Sequence, residues 1–315
     1  MTRVAAIDCG TNSIRLLVAD VADGQLTDLV REMRVVRLGQ GVDRTGEFAE
    51  EALVRTFAAL DDYAATCREL GVERVRFVAT SATRDARNRE RFLEGVRERL
   101  GVTPQVISGH EEASLSFNGV VSAVTGAPAP FLVVDLGGGS TELALGGDTL
   151  DAAYSMDVGC VRLTERHLTA NPPTAQQQAD AVADVREALA VAQGTVSLGE
   201  ARTLIGVAGS ITTVTAHALD LPAYDPVAIH GATLTVQQVI DSCNALIAAS
   251  HEDRAAMPFM HPGRVEAIGA GALVWREVVT AVAEAVAASG GNLTTVTTSE
   301  HDILDGIALS IASVG

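Results

Sequence analysis

Short apolar runs dominate the first forty residues. The segments RVAAIDC, SIRLLVADV and QLTDLVREMRVV predict three strands joined by short turns, one of them at Ala22-Asp23-Gly24. From residue 49 the spacing changes: residues 49–70 carry apolar positions at helical intervals, and Gly71 is a good stop. A strand over VERVRFVAT, a helix over 84–100, a strand at PQVIS and a helix over 111–124 follow. The order β-β-β-α-β-α-β-α predicts an α/β domain.

The pattern then starts again. FLVVDLGGGSTELALGGDTLDAAYSMDVG repeats the strand, turn, strand, turn, strand motif, followed by helices over about 161–168 and 174–193. ARTLIGVAGSITTVTAHAL reads as strand, loop and helix. Helices over about 235–249 and 264–288, a strand at LTTVTTS and a closing helix in EHDILDGIALSIA complete the chain. A shift of 127 residues lays Asp8 on Asp135, Gly10 on Gly137, Ser13 on Ser140 and Leu16 on Leu143, while Arg15 falls on Glu142. A matched Asp-x-Gly-x-x-Ser at the head of each half predicts a duplicated α/β architecture. Such halves are expected to leave a cleft between them, faced by both glycine turns.

Composition narrows the chemistry. The chain has 315 residues, of which 47% are hydrophobic and 20% charged, as expected of a globular protein of two domains. No apolar run approaches the ~18 residues of a membrane span, and Asp8 interrupts the N-terminal apolar stretch too early for a signal peptide. A cytoplasmic protein with no membrane partner is the expectation. Cys9, Cys67, Cys160 and Cys243 form no CxxC pair, and the seven histidines show no metal-binding spacing, so buried reduced thiols are expected. Net charge is −17, and there is no lysine. Residues 1–99 hold 16 Arg against 17 acids, and residues 100–315 hold 7 Arg against 23 acids. That balance argues against a nucleic-acid partner, although TRDARNRERFLEGVRERLG concentrates guanidinium groups suited to phosphate.

Three glycine turns carry the candidate chemistry. Backbone amides of a tight glycine turn point one way and make a nest for an anion, which can approach only where no Cβ stands in front. DLGGGS offers such amides with the Ser140 hydroxyl, and DCGTNS offers Gly10 to Ser13 with the Asn12 and Ser13 side chains. GVAGS, residues 206–210, runs straight into a helix whose first amides favour an anion. Asp135 ends an apolar strand just before its nest, Glu142 sits two residues beyond it, and Asp8 occupies the equivalent place in the first half. Carboxylates beside a phosphate repel it unless a hard cation intervenes, which points to Mg²⁺. Glu111 and Glu112 are adjacent, so on a helix they diverge and only one can face a site.

The ordered set IDCGTNSIRLLV, ATSATRDARN, SGHEEA, VVDLGGGSTEL and GVAGSITTVTA, with the closing SEHDILDGIAL, resembles the exopolyphosphatase / guanosine-pentaphosphate phosphatase family in its short form. The resemblance implies two duplicated actin-like domains of the ribonuclease H-like, sugar-kinase and chaperone-ATPase superfold. It places the first at 1–126, joined by a C-terminal helix at 299–315, and the second at 127–298. It implies Mg²⁺-dependent hydrolysis of terminal phosphate from linear polyphosphate, guanosine pentaphosphate or both. Glu112 would be the general base and Asp135, Glu142 and Asp8 the metal-handling acids. Asn12, Ser13, Gly137, Gly138, Gly139, Ser140, Gly209 and Ser210 would hold terminal phosphoryl oxygens, and Arg84 the chain of phosphates. Cys9, Thr11 and His110 depart from common family residues, which touches substrate preference.

Phosphoanhydride hydrolysis asks mainly for positioning and charge neutralisation, which nests, arginine and Mg²⁺ supply. Arg84 also admits a plainer role, an ion pair on a helix surface. Two other functions are kept beside the hydrolase: an ATP-dependent kinase of the same superfold, and a non-catalytic sensor of polyphosphate or alarmone. The kinase lacks a strong signal for an adenosine pocket or an acceptor base, and the intact Glu112, Asp135 and Glu142 speak against the sensor. A homodimer is carried as a further expectation.

Overall fold

The computed structural model describes residues 2–22, 24–124 and 126–312. Asp23 of the predicted turn and residues 313–315 of the predicted C-terminal segment lie outside the described residues. The chain divides into two compact units, Met1–Val120 with Asp302–Gly315, and Val121–His301.

In the first unit, β1 (Thr2–Cys9), β2 (Ser13–Ala22) and β3 (Gln25–Val35) form an antiparallel meander. There follow α1 (Val42–Thr45), α2 (Glu50–Glu69), β4 (Arg74–Ala79), α3 (Ser81–Asp85), α4 (Arg89–Leu100), β5 (Gln105–Val106) and α5 (Gly109–Val121). The sheet order is β3-β2-β1-β4-β5, with β4 parallel to β1 and β5 parallel to β4. From Val4 to Cys9, β1 is buried throughout, as befits a central strand covered on both faces. Edge strand β3 carries only exposed and half-buried positions. Helix α2 buries Leu53, Leu60, Tyr63 and Cys67 at helical spacing, and the Tyr63 hydroxyl donates to the carbonyl of Ile14 at 3.0 Å.

The second unit repeats this plan. It contains β6 (Phe131–Leu136), β7 (Thr141–Gly146), β8 (Leu150–Met156), α6 (Cys160–Arg166), α7 (Ala175–Ala192), β9 (Thr203–Val207), α8 (Gly209–Ala218) and α9 (Pro226–Ile229). Then come β10 (Thr233–Thr235), α10 (Val236–Ala248), α11 (His251–Ala256), α12 (Ile268–Ala288) and β11 (Thr295–Thr298). The sheet order is β8-β7-β6-β9-β11-β10. Its first five strands therefore reproduce the 3-2-1-4-5 order and the antiparallel-then-parallel pattern of the first unit, with β10 added at the edge. This is the duplicated actin-like α/β fold. Long helix α12 fills the core with Trp275, Val278 and Val282.

The last helix, α13 (Ile303–Ala312), belongs to the first unit, where Ile303, Leu304, Ile307 and Ile311 share a core with Val4, Ala6, Leu17 and Val78. It crosses α5 at backbone contact. A Cβ on Gly119 would lie 2.0 Å from the Asp302 carbonyl oxygen, and one on Gly306 would lie 1.9 Å from the Leu115 carbonyl oxygen. Only glycine fits either position.

Two local expectations are corrected. The helix predicted over 84–100 is broken into α3 and α4, because Ala86 is extended (φ −78°, ψ 122°) and the Asn88 side chain bonds both the amide and the carbonyl of Phe48. The helix predicted from 264 begins at Ile268, after a 3₁₀ turn at Pro262–Arg264.

Candidate active site

In the first unit the β1–β2 turn is closed by the Gly10 amide donating to the Ser13 carbonyl at 2.9 Å. Its carbonyls are engaged: Thr11 O accepts from the Gly39 amide, and Asn12 O accepts from the amides of Val36 and Arg37. The amides of Thr11 and Asn12 make no hydrogen bond among the described residues. The second unit builds the same turn, with the Gly137 amide on the Ser140 carbonyl at 3.0 Å. There the carbonyl side is tied down by α6: Gly137 O accepts from the Cys160 amide, Gly138 O from the amides of Val161 and Arg162, and Gly139 O from Arg162 Nε at 2.7 Å. The amides of Gly138 and Gly139 make no hydrogen bond among the described residues. None of the three glycines has φ in the left-handed region, so backbone conformation does not explain their missing side chains.

The acids differ between the halves in an instructive way. Asp8 stands directly across β1 and β2 from Arg15, and Asp135 directly across β6 and β7 from Glu142. The first pair is an ion pair, with Arg15 Nη2 at 2.6 Å from Asp8 Oδ2 and Nη1 reaching on to Asp302. One Asp8 oxygen is therefore already committed, while Oδ1 is buried without a partner among the described residues. Burial pushes the Asp8 carboxyl up, against the pull of Arg15. The second pair sets two buried carboxyls face to face, which is unfavourable across a ladder unless something positive stands by them. Glu142 also accepts from the Ser155 hydroxyl at 2.7 Å. Among the described residues there is no group of three or more His, Cys, Asp or Glu that could hold a metal ion. Mg²⁺ commonly takes only one or two carboxylates beside substrate phosphates and water, so this donor set fits it.

Glu112 and Arg84 form the other feature of the first unit. Glu112, in the first turn of α5, is 8% exposed. Arg84 Nη1 lies 2.6 Å from Glu112 Oε2 and also donates to the Ile107 carbonyl. Desolvation raises the Glu112 carboxyl to about 7 despite that guanidinium and the Thr80 hydroxyl, with Asp8 adding to the rise. Glu111 points elsewhere: it is half-exposed and paired with Arg76 at 2.7 Å. The remaining arginines of the basic stretch mostly serve surface pairs, Arg87 with Glu47 and Arg91 with Glu50. Arg84 keeps Nε and Nη2 without a hydrogen bond among the described residues.

The third glycine turn enters α8 through Ala208, whose φ of 73° and ψ of 168° are strained for an alanine. The amides of Gly209, Ser210 and Ile211 are uncapped. Arg264, which the sequence reading passed over, lies against this turn. A Cβ on Gly209 would meet its guanidinium at 2.5 Å, and it contacts the Thr213 hydroxyl and the Tyr224 ring. The missing side chain at Gly209 was the available signal, but Arg264 itself read as the start of a helix.

An actin-like pair of α/β units with open amide nests, buried acids and a raised glutamate defines a class of phosphoryl-handling protein. The Ppx/GppA phosphatase family model matches residues 17–295, and the chain belongs to that family. It is similar to exopolyphosphatase 2 of Mycobacterium tuberculosis, 51% identical over 321 aligned positions covering 99% of each chain. It is similar to a crystallised exopolyphosphatase-like protein at 47% identity and a TM-score of 0.96, over 98% of this chain and 97% of that one. The Aquifex aeolicus Ppx/GppA family member matches at 29% identity and a TM-score of 0.79, over 99% and 98%.

Proposed function

We propose that the protein is an exopolyphosphatase, releasing orthophosphate from the end of linear polyphosphate and from guanosine pentaphosphate. The observation that carries this is the DLGGGS turn, whose three glycine carbonyls accept hydrogen bonds from α6 residues while the amides of Gly138 and Gly139 stay open. In this reading the open amides of Gly138 and Gly139 with Ser140, those of Gly209 and Ser210, and Asn12 and Ser13 hold terminal phosphoryl oxygens, while the Gly137 amide closes the turn on the Ser140 carbonyl. Arg264 joins them beside Gly209.

Glu112 takes a proton from the attacking water, and the bond from the terminal phosphorus to the bridging oxygen breaks as the water oxygen bonds to phosphorus. A buried glutamate raised to about 7 is matched to that task. Arg84 orients Glu112 and, through its remaining N–H groups, meets phosphates further along the chain. Asp135, Glu142 and Asp8 are the acids that would handle Mg²⁺. When bound, the ion neutralises and orients phosphate oxygens. A cytoplasmic location accords with this substrate, and no helix among the described residues is long and apolar enough to cross a membrane.

The test is phosphate release without any acceptor, from long polyphosphate, short polyphosphate, guanosine pentaphosphate and ATP, with Mg²⁺ and with EDTA. Polyphosphate should be cleaved with higher kcat/KM than ATP, and EDTA should abolish turnover. Comparable efficiency on ATP and polyphosphate would overturn the reading.

A further inference from the structure

The second unit holds a cavity of about 340 Å³ lined by none of the glycine-turn residues. Of its walls, Arg254, Gly269 and Ala270 are buried, as are the apolar Leu168 and Pro173, whereas Thr169, Asn171 and Glu266 are exposed. Arg254 is only 3% exposed. Its Nε and Nη2 donate to the carbonyls of Leu246 and Ile247 in the last turn of α10, at 2.9 and 3.1 Å. It makes no ion pair among the described residues, and its Nη1 makes no hydrogen bond yet is not sealed from solvent. Nη1 is therefore the guanidinium nitrogen of Arg254, a residue of the cavity wall, that is left for a ligand. Burial lowers the guanidinium's pKa, as expected for a cation without a counter-ion.

A second positive feature meets it there. The N-terminus of the 21-residue helix α12 has no side-chain cap, and the amides of Ile268, Gly269 and Ala270 make no hydrogen bond among the described residues. Gly269 lets the guanidinium lie against this turn, since a Cβ there would be 2.6 Å from Arg254 Nη2. A helix N-terminus and a buried arginine side by side repel each other unless an anion joins them. The carbonyls of α10 offset part of the arginine's charge but leave Nη1 unsatisfied. Glu266, the carboxylate of the lining, is exposed. The volume is that of a small-ligand pocket, and a guanidinium fork with helix amides suits a tetrahedral oxyanion.

We propose that this cavity is a second oxyanion site, taking a phosphoryl group as free orthophosphate or as the end of a short phosphate chain. Calorimetric titration of the full-length protein with inorganic phosphate, and separately with tripolyphosphate, tests it in the wild type, Arg254→Gln and Ala170→Asp. Ala170 lines the cavity, so the new carboxylate repels an anion while Arg254 keeps its helix contacts. Far-UV circular dichroism and Tm confirm folding. If Arg254→Gln fails to fold, Ala170→Asp alone decides. Two classes of site are expected in the wild type, one of them weakened about tenfold or more in each folded variant, the loss expected of a charge-assisted hydrogen bond. Saturation by orthophosphate assigns the site to free phosphate, and binding of tripolyphosphate alone assigns it to a chain end. A single class of site in the wild type, or an unchanged isotherm in folded Ala170→Asp, overturns the proposal.

Discussion

Replacing Glu112 by Gln should make the fold more stable relative to wild type as pH rises, while removing turnover. In the native state burial raises the Glu112 carboxyl from its ordinary 4.5 to about 7. Between those values the folded protein keeps a proton that the unfolded chain has lost, so the wild type loses stability as pH climbs through that window and levels off above it. Each pKa unit corresponds to about 1.36 kcal/mol. From pH 5 to pH 8 the ionising glutamate should therefore cost the wild type roughly 2–3 kcal/mol that the glutamine variant is spared. The measurement is thermal or urea unfolding of both proteins at the two pH values in EDTA, comparing the gap between them. A gap that stays constant from pH 5 to pH 8 would refute the buried, raised carboxyl. The same group must be ionised to accept a proton, so kcat/KM of the wild type should fall on the acid side with an apparent pKa near 7. Turnover of Glu112→Gln should drop by about 10²–10⁴-fold.

Other expectations rest on separate features. Glu111→Gln should retain turnover within a few-fold, since it removes only a half-exposed pair with Arg76; a phosphate-release assay beside Glu112→Gln checks which glutamate is the base. Asp135→Asn and Glu142→Gln should each need more Mg²⁺ for half-maximal activity, because each removes a negative donor from the facing pair; unchanged magnesium titrations in both would exclude them as metal-handling acids. Arg84→Ala should penalise long polyphosphate more than short chains in kcat/KM, and a penalty independent of chain length would confine Arg84 to holding Glu112. Gly306→Ala should lower stability by at least ~2 kcal/mol in urea unfolding, because its Cβ meets backbone rather than a side chain that can move aside.

The fold was largely legible because duplication leaves two kinds of evidence. Central strands such as FLVVDL read as apolar runs, and the repeated Asp-x-Gly-x-x-Ser fixed where each meander begins. The offset that laid Arg15 on Glu142 is realised in the pairing register, with Asp8 across from Arg15 and Asp135 across from Glu142. Tertiary effects were not legible. The break between α3 and α4 depends on Asn88 gripping Phe48, 40 residues away in sequence, and no local pattern announces it. The short elements α9, β10 and α11 lie in stretches too brief for a periodic signal. The motif residues were visible as types, but the pairing of Arg84 with Glu112 spans 28 residues and needed the fold. Arg264 was missed because its relevance lies in a glycine elsewhere.

The crossing of α5 and α13 bears on how the chain is made. The first unit begins at the N-terminus, yet one layer of its core, built on Ile303, Leu304, Ile307 and Ile311, arrives only after all of Val121–His301 has been synthesised. During translation domains ordinarily complete themselves in order from the N-terminus. Here the second unit can close first, while β1, β2 and β4 wait with an apolar face uncovered. Helix α5 cannot gain its backbone contact with Gly306 until the last helix arrives. Nascent chains halted before residue 302 should then expose that apolar face to chaperones or to one another, however well the second unit has folded.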